Sequence, residues 1–247
     1  MFKYLKTKFF IVVMSFFVIF SSWGGDTIAV PNEKFDKDKF RSVLREYVFT
    51  TYKGEKGVHI ESALLALGAL SGFALQQGIR EELIKKQGKP ENKMFTIIKT
   101  KNGDKYYFGS IFDQPLYDTR KGKISVWAII AGGAQKAGAS SLPNINNLAK
   151  LNTQAVGSKN YGKLNISKKH QPKHHPIEAI KIHWGLTEKL LKAKGGNPLM
   201  WSWEIALVAQ DLIILGKQAI QPSLAAQIVM EPAISMSKID PNLIFKN

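Results

Sequence analysis

At 247 residues the chain is long enough to bury a core of its own, and 35 basic against 19 acidic residues give it a formal charge of +16. The absence of cysteine excludes disulfides, thiolate nucleophiles, cysteine-bound metals and a lipidated cysteine. No Walker lysine motif, nucleophile elbow or dinucleotide glycine fingerprint occurs in the sequence.

Residues 1–24, MFKYLKTKFFIVVMSFFVIFSSWG, read as a signal peptide or a short membrane anchor. Lys3, Lys6 and Lys8 precede a charge-free run from Phe9 to Phe20. That run is shorter than the roughly 20 residues that span a bilayer, which favours a leader over a full span. Ser22-Trp23-Gly24 and Thr27-Ile28-Ala29 both offer small-residue cleavage patterns. The expectation is an exported or membrane-anchored protein of a bacterial periplasm or cell envelope. The basic start would stay inside and the body would lie across the membrane.

In residues 25–247 the periodicity predicts a first helix over 37–52, with Phe40, Val43, Leu44, Tyr47 and Val48 sharing a face. Residues 53–57 read as a turn. A second helix begins near His59 or Ile60 and extends to Lys86. Its centre, ESALLALGALSGFAL, is apolar or small on nearly every side, as in a buried helix. Gly68 and Gly72 are four apart and permit a close helix contact. That contact is expected either inside the domain or in a helix-mediated homodimer through the Gly68–Gly72 face.

Residues 94–112 predict two strands around Lys101-Asn102-Gly103-Asp104, in which Asn102 and Gly103 both tolerate positive φ. A two-stranded hairpin is marginal alone and needs a packing partner. A helix over 124–137 follows, then a basic connecting segment near 138–176 with limited local helix. Three further helices are expected at about 177–194, 202–219 and 222–230, with Pro222 suited to a first helical turn. The fold class expected is therefore α+β and predominantly helical. It is a single compact domain with a small antiparallel β-hairpin and a central buried small-residue helix.

The candidate chemistry rests on histidines and carboxylates. His170, His174 and Glu178 are the weak metal candidates, because His174 and Glu178 are four apart and could share a helical face. His59 and Glu61 form a second acid/base candidate near a helix start. Glu204, Asp211 and Glu231 interrupt an apolar terminal region, where a buried carboxylate needs a partner. No cofactor is implied by any of these patterns.

Residues 25–247 retain a charge of +13 once the three leader lysines are set aside. Its densest stretch, 150–194, holds ten lysines opposed only by Glu178 and Glu188. Lysine suits diffuse attraction, whereas arginine suits bidentate phosphate or base recognition. Arg41, Arg45, Arg80 and Arg120 are the few arginines, so nucleic acid is a poor partner. An envelope protein or an anionic membrane surface fits better. The function expected is a noncatalytic envelope-associated binding or scaffolding protein. The alternative is an envelope hydrolase using Glu178 or Glu204 with a neighbouring histidine.

Overall fold

The structure, a computed structural model, describes residues 36–120, 122–192 and 196–245. The leader expected at 1–24 lies outside the described residues. The described residues are 65% helical with two small antiparallel strand pairs, an α+β fold dominated by helices.

Helix α1 (Lys37–Tyr52) starts where the Asp36 carboxylate accepts from the Lys39 N–H at 2.9 Å, a side-chain cap. It buries Phe40, Leu44, Val48 and Tyr52, one residue per turn, while Val43 stays exposed. A tight hairpin, β1 (Lys53–Gly54) and β2 (Gly57–Val58), then turns the chain into α2 (Ile60–Ile79). That helix continues through a π-helical segment, Arg80–Lys86, supported by Glu81–Lys85 and Glu82–Lys86 pairs at 3.0 Å.

Helix α2 is the centre of the fold, packed mainly against three later helices: α7 (Pro176–Lys192), α8 (Trp201–Leu215) and α9 (Pro222–Met236). Its small residues set the spacing to α9. A Cβ added at Gly68 would collide with the Val229 backbone, and one at Gly72 with the Ala233 backbone. The Gly68–Gly72 face is thus filled by the chain's own α9. The homodimer contact expected there is corrected, since both glycines are buried in the protein interior. Phe73, on the same helix, is fully buried and meets Trp184 edge to face at 4.8 Å. Burial of one such side chain contributes roughly 1.5–3 kcal/mol.

By length and composition, Ile60–Lys86 and Pro198–Leu215 are apolar enough to cross a membrane, which weakly suggests membrane association. The apolar window of the first is 94% buried inside the fold, and that of the second 56%. A helix apolar all round is equally the mark of a protein core.

A short helix, α3 (Glu91–Met94), leads into the expected hairpin, β3 (Thr96–Lys99) and β4 (Lys105–Phe108), with Ile97 opposite Tyr107. Only Gly103 of the Asn-Gly pair takes a positive φ, +85°. Its N–H donates to the Thr100 carbonyl at 3.0 Å, so the loop is a longer turn closed by one left-handed glycine. The packing that the hairpin requires comes from Phe112, from Arg80 stacked 4.5 Å over Tyr107, and from a Tyr106–Ile239 bridge.

Several helices depart from the sequence expectation. The second strand expected within 94–112 ends at Phe108, and after Gly109 the chain forms α4 (Ser110–Tyr117). After α5 (Val126–Lys136), the connecting segment holds α6 (Ile145–Gln154), capped by the Asn144 side chain on the Asn147 N–H at 3.0 Å. Helix α9 also runs past Pro232, six residues beyond the expected end, and α10 (Pro241–Phe245) closes the fold.

Candidate functional site

The polar groups gather where the start of α2 meets the loop before α7. His59 is the N-cap of α2, and its Nδ1 lies 3.3 Å from the Ser62 N–H and 2.9 Å from Ser62 Oγ. A backbone N–H can only donate, so Nδ1 accepts and the neutral ring carries its proton on Nε2. Ser62 Oγ in turn accepts from the Lys173 N–H at 2.9 Å, tying the distant loop to this helix. Glu61 extends the junction. One oxygen sits 2.9 Å from His170 Nδ1, and the other lies 3.8 Å from His59 Nδ1. The carboxylate also suits the positive end of α2.

A serine, a histidine and a glutamate therefore meet, but not as a catalytic triad. A triad places its hydroxyl and its carboxylate on opposite ring nitrogens. Here both approach Nδ1, which already caps the helix, and Ser62 is fully buried. The arrangement fastens two segments together and leaves no exposed nucleophile in Ser62.

The metal candidates separate. His170 is engaged with Glu61, whereas His174 Nδ1 faces Glu178 at 3.6 Å. Among the described residues, no three histidine, aspartate or glutamate side chains converge as a metal would need. Glu178 instead stands three residues into α7 and accepts from the His175 N–H at 3.1 Å. This is the return bond of a capping box. His175 completes the helix start: Nδ1 accepts from the Ile177 N–H at 3.3 Å, and Nε2 donates to the Tyr161 carbonyl at 3.0 Å.

His183 and Tyr52 form a pair that charge spacing alone does not reveal. His183 Nε2 lies 3.0 Å from Tyr52 Oη in the interior, and His183 Nδ1 has no hydrogen-bond partner. Burial, then the nearby His174, pushes the His183 pKa down to about 4. Burial, then Tyr47, pushes the Tyr52 phenol up to about 12. The sequence signal for burial was the stripe Ala179, His183, Thr187 at four-residue spacing, all three inward.

Glu204 and Asp211 belong to a different network. Buried Glu204 accepts from Arg41 Nε and Nη2 at 3.0 and 2.7 Å, with Lys37 Nζ 3.4 Å from its other oxygen. Asp211, half exposed, faces Arg45 at 3.7 Å. Lys37, Arg41 and Arg45 recur every four residues on α1, so the network clamps α1 to α8. No histidine is among these partners.

Three open clefts lie along the connecting segment. One of about 590 Å³ is bounded by Ser167, Lys169, His170, Lys217, Gln218 and Gln221. Another of about 420 Å³ is bounded by Lys163, Lys168, Lys173, His174 and His175. A third, about 360 Å³, reaches Glu231, which accepts from Asn165 N–H at 2.7 Å and Gln227 Nε2 at 2.6 Å. Burial raises the Glu231 carboxyl, partly offset by those two bonds. Lys150, Lys159, Lys163, Lys168, Lys169 and Lys173 are exposed, and none has a carboxylate partner within 4.0 Å among the described residues. Lys163, Lys168, Lys169 and Lys173 line the first two clefts, as the composition of the segment foreshadowed, but the contribution of Lys217 was not legible.

Comparison with family models, with curated proteins and with solved structures finds no match to this chain.

Proposed function

We propose that this protein is a noncatalytic, envelope-associated binding protein that holds to an anionic membrane surface through its basic segment 150–175. The supporting observation is the set of six exposed lysines there without carboxylate partners among the described residues. By contrast, Lys85, Lys86, Lys192 and Lys238 each face a carboxylate at 2.8 to 3.4 Å, although unpaired lysines such as Lys53, Lys101 and Lys136 also occur outside the segment among the described residues. A lysine close to an anionic leaflet contributes about 1 kcal/mol of attraction, so several acting together give useful affinity without a shaped interface. The exported or anchored location read from residues 1–24 would put such a surface within reach. The hydrolase alternative draws on the His174–Glu178 approach, but Glu178 is committed to capping α7 and Glu204 to Arg41.

Flotation of the full chain with phosphatidylglycerol–phosphatidylcholine vesicles, against phosphatidylcholine alone, tests this reading. The apolar run at 9–20 would partition into both, so the difference between the two isolates the charge-dependent part. Stronger binding to the anionic vesicles, reduced by Lys163→Gln, Lys168→Gln and Lys173→Gln together, is expected. Equal binding to both vesicle types would remove the proposal.

A further inference from the structure

We propose that the 590 Å³ cleft is a headgroup site, in which Lys169 and Lys217 hold the phosphate of an anionic lipid. This inference rests on the membrane-binding reading and gives that surface a specific contact point. Every polar side chain that bounds the cleft can donate a hydrogen bond: Ser167, Lys169, Lys217, Gln218 and Gln221, with His170 beside them. No carboxylate lines it. Neither lysine has a carboxylate within 4.0 Å among the described residues, so both ammonium groups are available to an anion.

The two lysines come from separate parts of the chain, and each wall is fixed by its own bonds. Lys169 lies in the 3₁₀ turn Lys168–His170, whose last residue is bound to Glu61 at the start of α2. Lys217 lies in the turn after α8. There the Gly216 carbonyl accepts from Ala219 and Ile220 at 2.8 and 3.1 Å, and Ile220 is buried. Two fixed cationic walls around an open cleft suit a phosphate that stays attached to a larger body. A lipid headgroup meets that description, and the other cleft along the same segment is lined by Lys163, Lys168 and Lys173. Removing positive charge at random would not reproduce the effect, because the site depends on these two positions.

The full chain carrying Lys169→Gln and Lys217→Gln is compared with wild type and with a Lys85→Gln, Lys86→Gln control that removes the same charge from a different element. Binding to phosphatidylglycerol–phosphatidylcholine vesicles and thermal stability with added inorganic phosphate are both measured. A lysine at an anionic surface is worth about a five-fold gain, so the cleft variant should bind about thirty-fold more weakly. The control should stay within about two-fold of wild type. Both cleft lysines are exposed, so an unchanged thermal midpoint shows that the variant is folded. Equal vesicle binding by wild type and the cleft variant overturns the site while leaving membrane binding standing. An equal loss in the control also overturns it, because general charge would then suffice. If inorganic phosphate stabilises wild type but not the cleft variant, and vesicle binding is the same in both, the site belongs to a soluble phosphate and the lipid assignment fails. A wild-type chain that does not distinguish anionic from neutral vesicles overturns the membrane reading and this site with it.

Discussion

His183 carries a pH dependence that follows from where its ring sits. Its folded pKa, about 4, lies below the ordinary 6.5, so the unfolded chain binds the proton more readily between those values. The stabilisation is full above pH 6.5 and is lost as pH falls towards 4. Its size is on the order of 3 kcal/mol. His183→Gln keeps a polar partner for Tyr52 but does not titrate. Urea unfolding of that variant is expected to show a shallower loss of stability between about pH 6.5 and pH 4 than wild type. Parallel curves would mean that the ring is hydrated rather than buried. Glu231, raised by burial, acts with the opposite sign, since its contribution fades as pH rises through its folded value. It is common to both chains and cancels in the comparison. Of these two groups, Glu231 was legible as a burial candidate from the apolar run around it, whereas the burial of His183 and its pairing with Tyr52, 131 positions away, came from tertiary packing.

Between elements, α2 against α9 is the contact most sensitive to side-chain volume. An added Cβ at Gly72 meets backbone atoms of Ala233, which cannot rotate away as a side-chain tip could. Gly72→Leu is therefore expected to cost about 3 kcal/mol through overpacking. For a domain of this size that lowers the thermal midpoint by roughly 6–12 °C, which calorimetry would read directly. An unchanged midpoint would refute the close approach. The α1–α8 clamp makes a second, graded prediction. Arg41→Met removes both hydrogen bonds to buried Glu204 and leaves it only the exposed Lys37, which should cost about 3 kcal/mol, whereas Arg45→Met breaks a half-exposed pair and should cost under about 1 kcal/mol. Chemical denaturation of the two variants checks the order. The glycine spacing was legible because small residues four apart mark a face; which helix fills that face was not, because α9 lies far along the chain. Helix α6 escaped notice for a local reason. Its Asn144 cap sits in a glycine-, asparagine- and lysine-rich stretch where turn signals outweigh a short apolar face of Ile145 and Leu148.

For the whole molecule, charge excess governs how the proposed association responds to salt. Attraction from exposed, unpaired lysines is screened over a Debye length of about 8 Å at physiological ionic strength. The anionic part of vesicle binding should therefore weaken steeply as salt is raised, while any part due to apolar insertion should not. A salt-independent anionic preference in flotation would point away from lysine-mediated attraction. The sequence by itself determined the helical majority, the hairpin, the buried small-residue helix and the location of surplus charge. Periodicity, caps, turns and composition act within a few residues or over the chain as a sum, so they can be read without a fold. Tertiary structure alone decided that Glu61 meets His170 across 109 positions, that Glu204 meets Arg41 across 163, and that Lys217 joins Lys169 at one cleft. Those meetings depend on how buried helices stack, and no local spacing specifies which polar groups packing will bring together.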